Sequence, residues 1–242
     1  MGGSGRVGVG DFDRKDEKIQ VILLKFYIWG MELAQSIREH AAYPIPHHLM
    51  AWLLKDYRQP NDKIRYLIKD GILQQVKRGL YIAGPKISTS KPDPFLIANH
   101  ILGPSYVSLE SALSFHGLIP EKVYEITSVT TKAKRKFVTP IGVYSYTRLP
   151  LPYYSYGIQS LEVGENQRVL IASPEKALFD KIVTTSGVEF RSSVSAVTYM
   201  ENDLRIDVSE LKSLDTQRME SWISGSPKRE SLSILIDTIR KQ

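Results

Sequence analysis

The sequence contains no cysteine, and this single absence removes several kinds of chemistry. Disulfide bonds, thiolate nucleophiles, cysteine-ligated zinc sites and iron–sulfur clusters all need cysteine and are therefore excluded. A chain that needs no disulfides suits a reducing compartment, so we expect a cytoplasmic protein.

Long hydrophobic runs are also missing. The longest, VILLKFYIWG at residues 21–30, carries Lys25 in its middle and falls short of the ~20 residues needed to span a bilayer. Acidic residues precede it where a signal peptide would carry positive charge, and no small-residue cleavage site follows it. We therefore predict no transmembrane helix, no secretion and no membrane partner.

Near the start of the chain, Gly3, Gly5 and Gly8 have the GxGxxG spacing of a dinucleotide-binding loop. That motif requires a strand before the first glycine and a helix opening at the third, and neither is predicted here. We assign residues 1–30 as a leader of uncertain status and base no function on them.

What the chain does have is positive charge. Its net charge is +6 and its pI is near 9.3, which favours an anionic partner. Residues 31–92 contain ten lysines and arginines against five acidic residues, so a net charge of +5 falls on this part. The total length of 242 residues is enough for two modest globular domains or one large one.

Helical spacing over residues 31–71 predicts three helices. In the second, residues 47–57, Trp52 is expected to anchor the helix in the core. The third is expected to begin at the N-cap Asn61 and to end near Gly71.

Two short β-prone runs follow, joined by a tight turn. Three helices and a hairpin are the order of a winged helix-turn-helix, and we assign residues 31–90 to such a domain. Its third helix would enter the major groove of DNA, and its hairpin tip would contact the adjacent backbone. The residues predicted to contact DNA are Asn61, Lys63, Arg65, Tyr66, Lys69, Lys77, Arg78 and Gly79. The alternative is a protein-interaction module with a solvated charged face.

A second domain is predicted over residues 93–242. Asp93 followed by Pro94, and Ser173 followed by Pro174, have the chemistry of helix starts. Runs rich in β-branched and aromatic residues predict strands between them, and helical spacing returns beyond residue 190. The predicted class is α+β: a winged helix-turn-helix, then a mixed α/β domain with a C-terminal helical group. A basic strip in this domain is either a second anion contact or an exposed loop: Lys132, Lys134, Arg135 and Lys136.

Catalytic motifs are scarce. The sequence has no GxSxG, phosphate loop or HExxH. Carboxylates near a lysine, Asp207 with Glu210 or Glu175 with Asp180, would suit a metal-dependent nuclease. Helix-end chemistry and solvent exposure explain Glu175 and Lys176 well enough. We expect no enzyme, no cofactor and no metal site.

Three segments, taken together, resemble a known family. They are GILQQVKRGLYIAGP at residues 71–85, YVSLESALSFHGLIP at residues 106–120 and VLIASPEKALFDKI at residues 169–182. In this order they are similar to the AbiEi antitoxins of type IV toxin–antitoxin systems. The resemblance implies a bacterial DNA-binding antitoxin that represses its own operon and neutralises a nucleotidyltransferase-like toxin without a stable complex. The family's hairpin motif falls on Lys77, Arg78, Gly79 and Tyr81.

Two other functions stay open. One is a transcriptional regulator whose second domain senses a ligand or a partner and which has no toxin. The other is a nuclease-like enzyme. For the antitoxin, the expected partner is double-stranded DNA, namely the operator of its own operon.

Overall fold

The computed structural model describes residues 30–241 except residues 165 and 208. The described chain is a mixed α+β protein with two β-sheets, which confirms the predicted class. The glycine-rich leader and all but the last residue of the apolar run lie outside the described residues. None of the described helices is both long enough and apolar enough to cross a bilayer.

The N-terminal elements alternate helices with short strands. In chain order they are α1 (residues 30–39), β1 (Ile45–Pro46), α2 (His47–Leu53), α3 (Pro60–Lys69), β2 (Leu73–Lys77) and β3 (Leu80–Ala83). The strands form an antiparallel sheet with the order β1-β3-β2. Apolar side chains from the three helices and from this sheet form one hydrophobic core, the N-terminal core.

Two details of these helices differ from prediction. Trp52 is 62% exposed, whereas Met50 and Leu54 are buried. Those two residues are four apart and share the core face, so Trp52, midway between them in sequence, lies about 180° from that face. Helix α3 begins at Pro60, with Gln59 as its N-cap, so the prediction that Asn61 is the cap is wrong. Proline at the first helical position has the φ angle that a helix start needs.

The second sheet has six strands. They are β4 (Ser105–Val107), β5 (Glu125–Thr130), β6 (Arg135–Thr139), β7 (Gly142–Arg148), β8 (Ile158–Val163) and β9 (Gln167–Ala172). Their order is β6-β7-β5-β4-β9-β8, with β5/β7 and β4/β9 parallel and the other neighbours antiparallel. The runs rich in β-branched and aromatic residues correspond to β5, β7 and β9. Strands β4, β6 and β8 were not predicted; the charges that begin β6 are typical of a loop.

Six α-helices accompany this sheet. They are α4 (Pro94–Ile101), α5 (Glu110–Phe115), α6 (Pro174–Thr184), α7 (Ser193–Thr198), α8 (Thr216–Trp222) and α9 (Arg229–Arg240). Two predicted helix starts are confirmed. The Asp93 carboxylate accepts a hydrogen bond from the Phe95 amide at 2.7 Å, and the Ser173 hydroxyl accepts one from the Lys176 amide at 3.3 Å. The predicted C-terminal helical group corresponds to α7, α8 and α9.

The hairpin of β2 and β3 contacts two cores at once. All residues of β3 are buried; Tyr81 and Ala83 belong to the N-terminal core, whereas Leu80 and Ile82 belong to the larger core around the second sheet. Side chains alternate between the two faces of a strand, so each face of the hairpin meets a different core. Val76 of β2 also joins the larger core. The two predicted domains are therefore in contact through this hairpin.

A polar cluster lies inside the larger core. The Asp180 carboxylate accepts hydrogen bonds from the hydroxyls of Tyr106 at 2.9 Å and Ser108 at 2.7 Å, and from the Lys176 ammonium. The side chains of Lys176 and Asp180 are fully buried. The Lys176 Nζ atom also lies 3.4 Å from the ring centroid of Tyr153. Burial lowers the pKa of Lys176, and Asp180 opposes that shift. The prediction that Lys176 is exposed to solvent is therefore wrong.

We expect Asp180→Asn to destabilise the protein by about 3–5 kcal/mol, because it leaves the Lys176 ammonium buried without a counter-charge. Urea denaturation gives the free energy of unfolding. The double variant Lys176→Met/Asp180→Asn should lose less than the sum of the single variants, since both charges leave together. Glu220→Gln breaks an exposed pair with Arg240 and is the control, expected to change stability little. If Asp180→Asn lowers the free energy of unfolding no more than Glu220→Gln does, the buried pair does not have this role.

Burial also raises the pKa of several core tyrosines. Burial and the charge of Asp93 raise the pKa of Tyr144 to about 12. Burial and the charge of Asp180 raise the pKa of Tyr154 to about 12 as well. The pKa of Tyr106 is raised further still, again mainly by burial.

We expect the free energy of unfolding to fall as the pH rises above about 10, the pKa of tyrosine in an unfolded chain. Because the folded phenols keep protons that the unfolded chain releases, their stabilisation is complete below this pH and is lost toward pH 12. The lowered pKa values of Lys176 and Lys228 act in the opposite direction, but these two lysines are outnumbered by the buried tyrosines. Urea midpoints and tyrosinate absorbance, measured together across this range, check the expectation. A constant midpoint up to about pH 11.5 would contradict it.

Candidate nucleic-acid interface

Helix α3 presents a polar outer face. Ile64 and Leu67 are buried in the N-terminal core and fix the orientation of the helix. Four of the predicted DNA contacts are exposed on its outer surface: Asn61, Arg65, Tyr66 and Lys69. The helix has ten residues, which corresponds to a length of about 15 Å. Side chains that can donate hydrogen bonds therefore line most of its exposed length.

Two of the cations on α3 have partners within the chain. Arg65 pairs with Asp62 at 2.8 Å, one helical turn earlier, and both side chains are exposed. The Nζ atom of Lys63 lies 5.1 Å from the ring centroid of Tyr66 and 5.2 Å from that of Tyr57. An exposed ion pair contributes little stability, so Arg65 is free to exchange its carboxylate for a phosphate or a base edge.

The hairpin tip differs in part from the prediction. Gly79 has a φ angle of +81°, which glycine adopts without steric cost, and Arg78 beside it is exposed. The Gly79 carbonyl accepts a hydrogen bond from the His47 amide at 2.9 Å, which fixes the tip against the start of α2. Lys77, in contrast, is half-buried, and its Nζ atom lies 6.0 Å from the ring centroid of Phe137 in β6. Lys77 therefore faces the second sheet.

The cations of the predicted second anion contact are all exposed: Lys132, Lys134, Arg135 and Lys136. The first two lie in the turn between β5 and β6, and the last two begin β6. The Lys136 Nζ atom pairs with Glu125 at 2.6 Å, and this hydrogen bond lowers the pKa of Glu125. The Arg135 guanidinium lies 5.7 Å from the ring centroid of Phe137. The strip is therefore half turn and half edge strand.

The carboxylates considered for a nuclease form hydrogen bonds within the fold. Glu175 is buried and accepts hydrogen bonds from the Ser173 hydroxyl at 2.7 Å and the Asp215 amide at 3.2 Å. Asp180, which was considered as its partner in a nuclease site, is the carboxylate of the buried polar cluster. Asp207 is exposed and accepts hydrogen bonds from the amide and the hydroxyl of Ser209. Within residues 30–241, apart from residues 165 and 208, no cluster of three or more histidine, aspartate or glutamate side chains is placed to hold a metal ion.

Two exposed residues were not among the predicted site residues. Trp52 lies on the outside of α2, with the Nζ atom of Lys55 at 5.8 Å from its ring centroid. Arg148 ends β7 and is also exposed. An apolar residue within a helical pattern is normally assigned to the core, and an isolated arginine carries no signal in a sequence.

Comparison with known proteins adds information on the fold alone. No family model matches the chain, and no curated protein matches it. Among solved structures, the Rv2827c protein of Mycobacterium tuberculosis is similar, with a TM-score of 0.57 and 16% sequence identity. The similarity covers 87% of this chain and 77% of that one. The resemblance to AbiEi antitoxins stays a prediction.

Proposed function

We propose that the chain is a cytoplasmic DNA-binding antitoxin. In this proposal residues 31–90 form a winged helix-turn-helix that binds the operator of its own operon. Residues 93–242 neutralise a nucleotidyltransferase-like toxin without a stable complex. The observation that carries the DNA-binding part is the exposed cationic face of α3. The hairpin that follows α3 in the chain presents the exposed Arg78 at its tip.

The order of the elements supports this proposal. Helix α1, strand β1, helices α2 and α3, and the β2–β3 hairpin follow one another, and β1 pairs with β3. In helix-turn-helix proteins the second helix of the pair lies in the major groove, and the first crosses the backbone. Helix α3 takes the position of that second helix, and its apolar side faces the N-terminal core, which leaves its polar side for DNA.

Each exposed group has a matching task on duplex DNA. Arg65 and Lys69 are long donors that suit base edges, above all the two acceptors of guanine. Asn61 suits the donor and acceptor pair of adenine. Arg78 at the tip suits a phosphate, and the Gly79 turn lets the backbone approach closely.

The antitoxin part of the proposal rests on the three sequence segments that resemble the AbiEi family. Two of them lie in the second unit and include Ser108 and Asp180 of the buried polar cluster. Those two segments therefore contribute to the core of the second unit.

We expect Arg65→Ala or Lys69→Ala to lower the preference for operator over scrambled duplex by about 1–3 kcal/mol, because each removes a donor to a base edge. Arg78→Ala should weaken binding to both duplexes equally and flatten the salt dependence of log Kd by about 0.9, because it removes a phosphate contact. Competition titrations with the two duplexes at several salt concentrations measure both effects. If Arg78→Ala loses the preference while the helix variants keep it, the hairpin is the reading element and the assignment of α3 is wrong.

The two activities should also separate in cells. In cells that express the nucleotidyltransferase-like product of the neighbouring gene, the Arg65→Ala/Lys69→Ala double variant should restore growth as well as the parent chain does. Repression of an operon reporter should be lost in the same variant, because only DNA contacts are removed. A parent chain that gives no growth rescue would refute the antitoxin role, even if it binds the operator.

A further inference from the structure

Helix α3 carries a single acidic residue, Asp62, among neutral and cationic side chains. Asp62 is the third residue of the helix and therefore lies in its first turn. Ile64 and Leu67 are buried and mark the core side of the helix. At about 100° per residue, Asp62 lies about 170° around the helix from the direction midway between those two residues. The carboxylate thus stands at the centre of the exposed face.

Asp62 is paired with Arg65, one helical turn later. The Arg65 Nη1 atom lies 2.8 Å from the Asp62 Oδ1 atom, and the exposed fractions of the two side chains are 80% and 57%. A guanidinium has several N–H donors and a carboxylate has several acceptor lone pairs. One hydrogen bond between them therefore leaves donors on Arg65 and acceptor capacity on Asp62. The pair presents an acceptor and a donor side by side on the outer face of α3.

In the major groove of DNA, a C·G pair offers the complementary pattern. The cytosine N4 amino group donates to aspartate or glutamate, and the guanine O6 and N7 atoms accept from arginine. An A·T pair also has an amino donor, but it lacks the two adjacent acceptors that hold an arginine. In helix-turn-helix proteins the N-terminal residues of the second helix contact base edges, and Asp62 occupies that part of α3.

The negative charge of Asp62 also disfavours duplexes that do not offer this pattern. A carboxylate on a DNA-facing surface repels phosphates and is left without a donor on the wrong base. A first-turn acid stabilises the positive end of a helix as well, but that effect is the same with or without DNA. An acid at this position is therefore suited to discrimination between sequences and lowers the affinity for duplex DNA in general.

We propose that Asp62 is a specificity-determining residue that reads a C·G pair together with Arg65. The Asp62 carboxylate accepts from the cytosine amino group, while the Arg65 guanidinium donates to guanine. This inference rests on the proposed function, because it needs α3 to lie in the major groove. It adds that the operator contains a C·G pair under the first turn of α3, and that Asp62 rejects other base pairs there.

Asp62→Ala and Asp56→Ala in the full chain form a matched pair. Each removes one exposed carboxylate, and Asp56 lies between α2 and α3, outside the face of α3. Each variant and the parent are titrated against the operator, a scrambled duplex, and a set of operators in which each C·G pair is replaced in turn by T·A. For the parent, we expect one replacement to weaken binding about 10- to 100-fold through its contact with Asp62.

In Asp62→Ala, that replacement should have little effect. The scrambled duplex should bind Asp62→Ala more tightly than it binds the parent, because a charge that repels phosphates has been removed. This gain also guards against a folding defect, since an unfolded chain would bind every duplex more weakly. Asp56→Ala should respond to each replacement as the parent does. In Asp62→Asn, the preference at the sensitive position should move from cytosine toward adenine, which an amide side chain matches.

If Asp62→Ala and Asp56→Ala respond alike to every replacement, Asp62 does not read a base and this inference is wrong. Operator binding by α3 still stands in that case, provided that Arg65→Ala loses the preference for the operator. If Asp62→Ala instead removes the effect of replacing an A·T pair, the base that is read is adenine and the inference also fails. A parent chain that binds the operator and the scrambled duplex equally would remove the proposed function as well.

Discussion

Burial of strand β3 on both faces is the constraint on which the arrangement of the molecule depends. One face completes the N-terminal core and the other joins the larger core around the second sheet. A hairpin held in this way cannot swing as a flexible arm, because either movement would expose apolar side chains to water. The tip is fixed further by the hydrogen bond between Gly79 and His47. The hairpin therefore holds the α3 surface and the second sheet in one defined relation.

That relation decides where the positive charge lies. Lys77 and Arg135 are far apart in the chain, yet both stand over the ring of Phe137. Lys136, next to Arg135, lies on the other face and is neutralised by Glu125. Strand alternation thus decides which of these cations faces the hairpin, and the local density of lysine and arginine does not.

In the buried polar cluster, too, the residue types alone do not decide what the residues do. A carboxylate near a lysine suits metal-dependent hydrolysis as well as a structural ion pair. Here Asp180 accepts from Tyr106, Ser108 and Lys176 inside the core, which satisfies its oxygens. Such a cluster stabilises only when every member is paired, because an unpaired buried charge costs several kcal/mol. The hydroxyls that pair with Asp180 lie more than seventy residues away in the chain, so its environment is not visible in the local sequence.

The sequence by itself determined the features that depend on neighbouring residues. The mixed class, the helix starts at Asp93 and Ser173, the left-handed turn at Gly79 and the outward face of α3 all follow from caps, turn chemistry and helical period. Only the tertiary structure decided the rest. Trp52 is exposed because Met50 and Leu54 occupy the core face, and β6 is a strand because β7 offers it a partner. Lys77 lies over the ring of Phe137 because the hairpin packs against β6, a segment remote from it in the chain. Local patterns do not encode such contacts, since burial and strand pairing depend on which distant segment packs alongside.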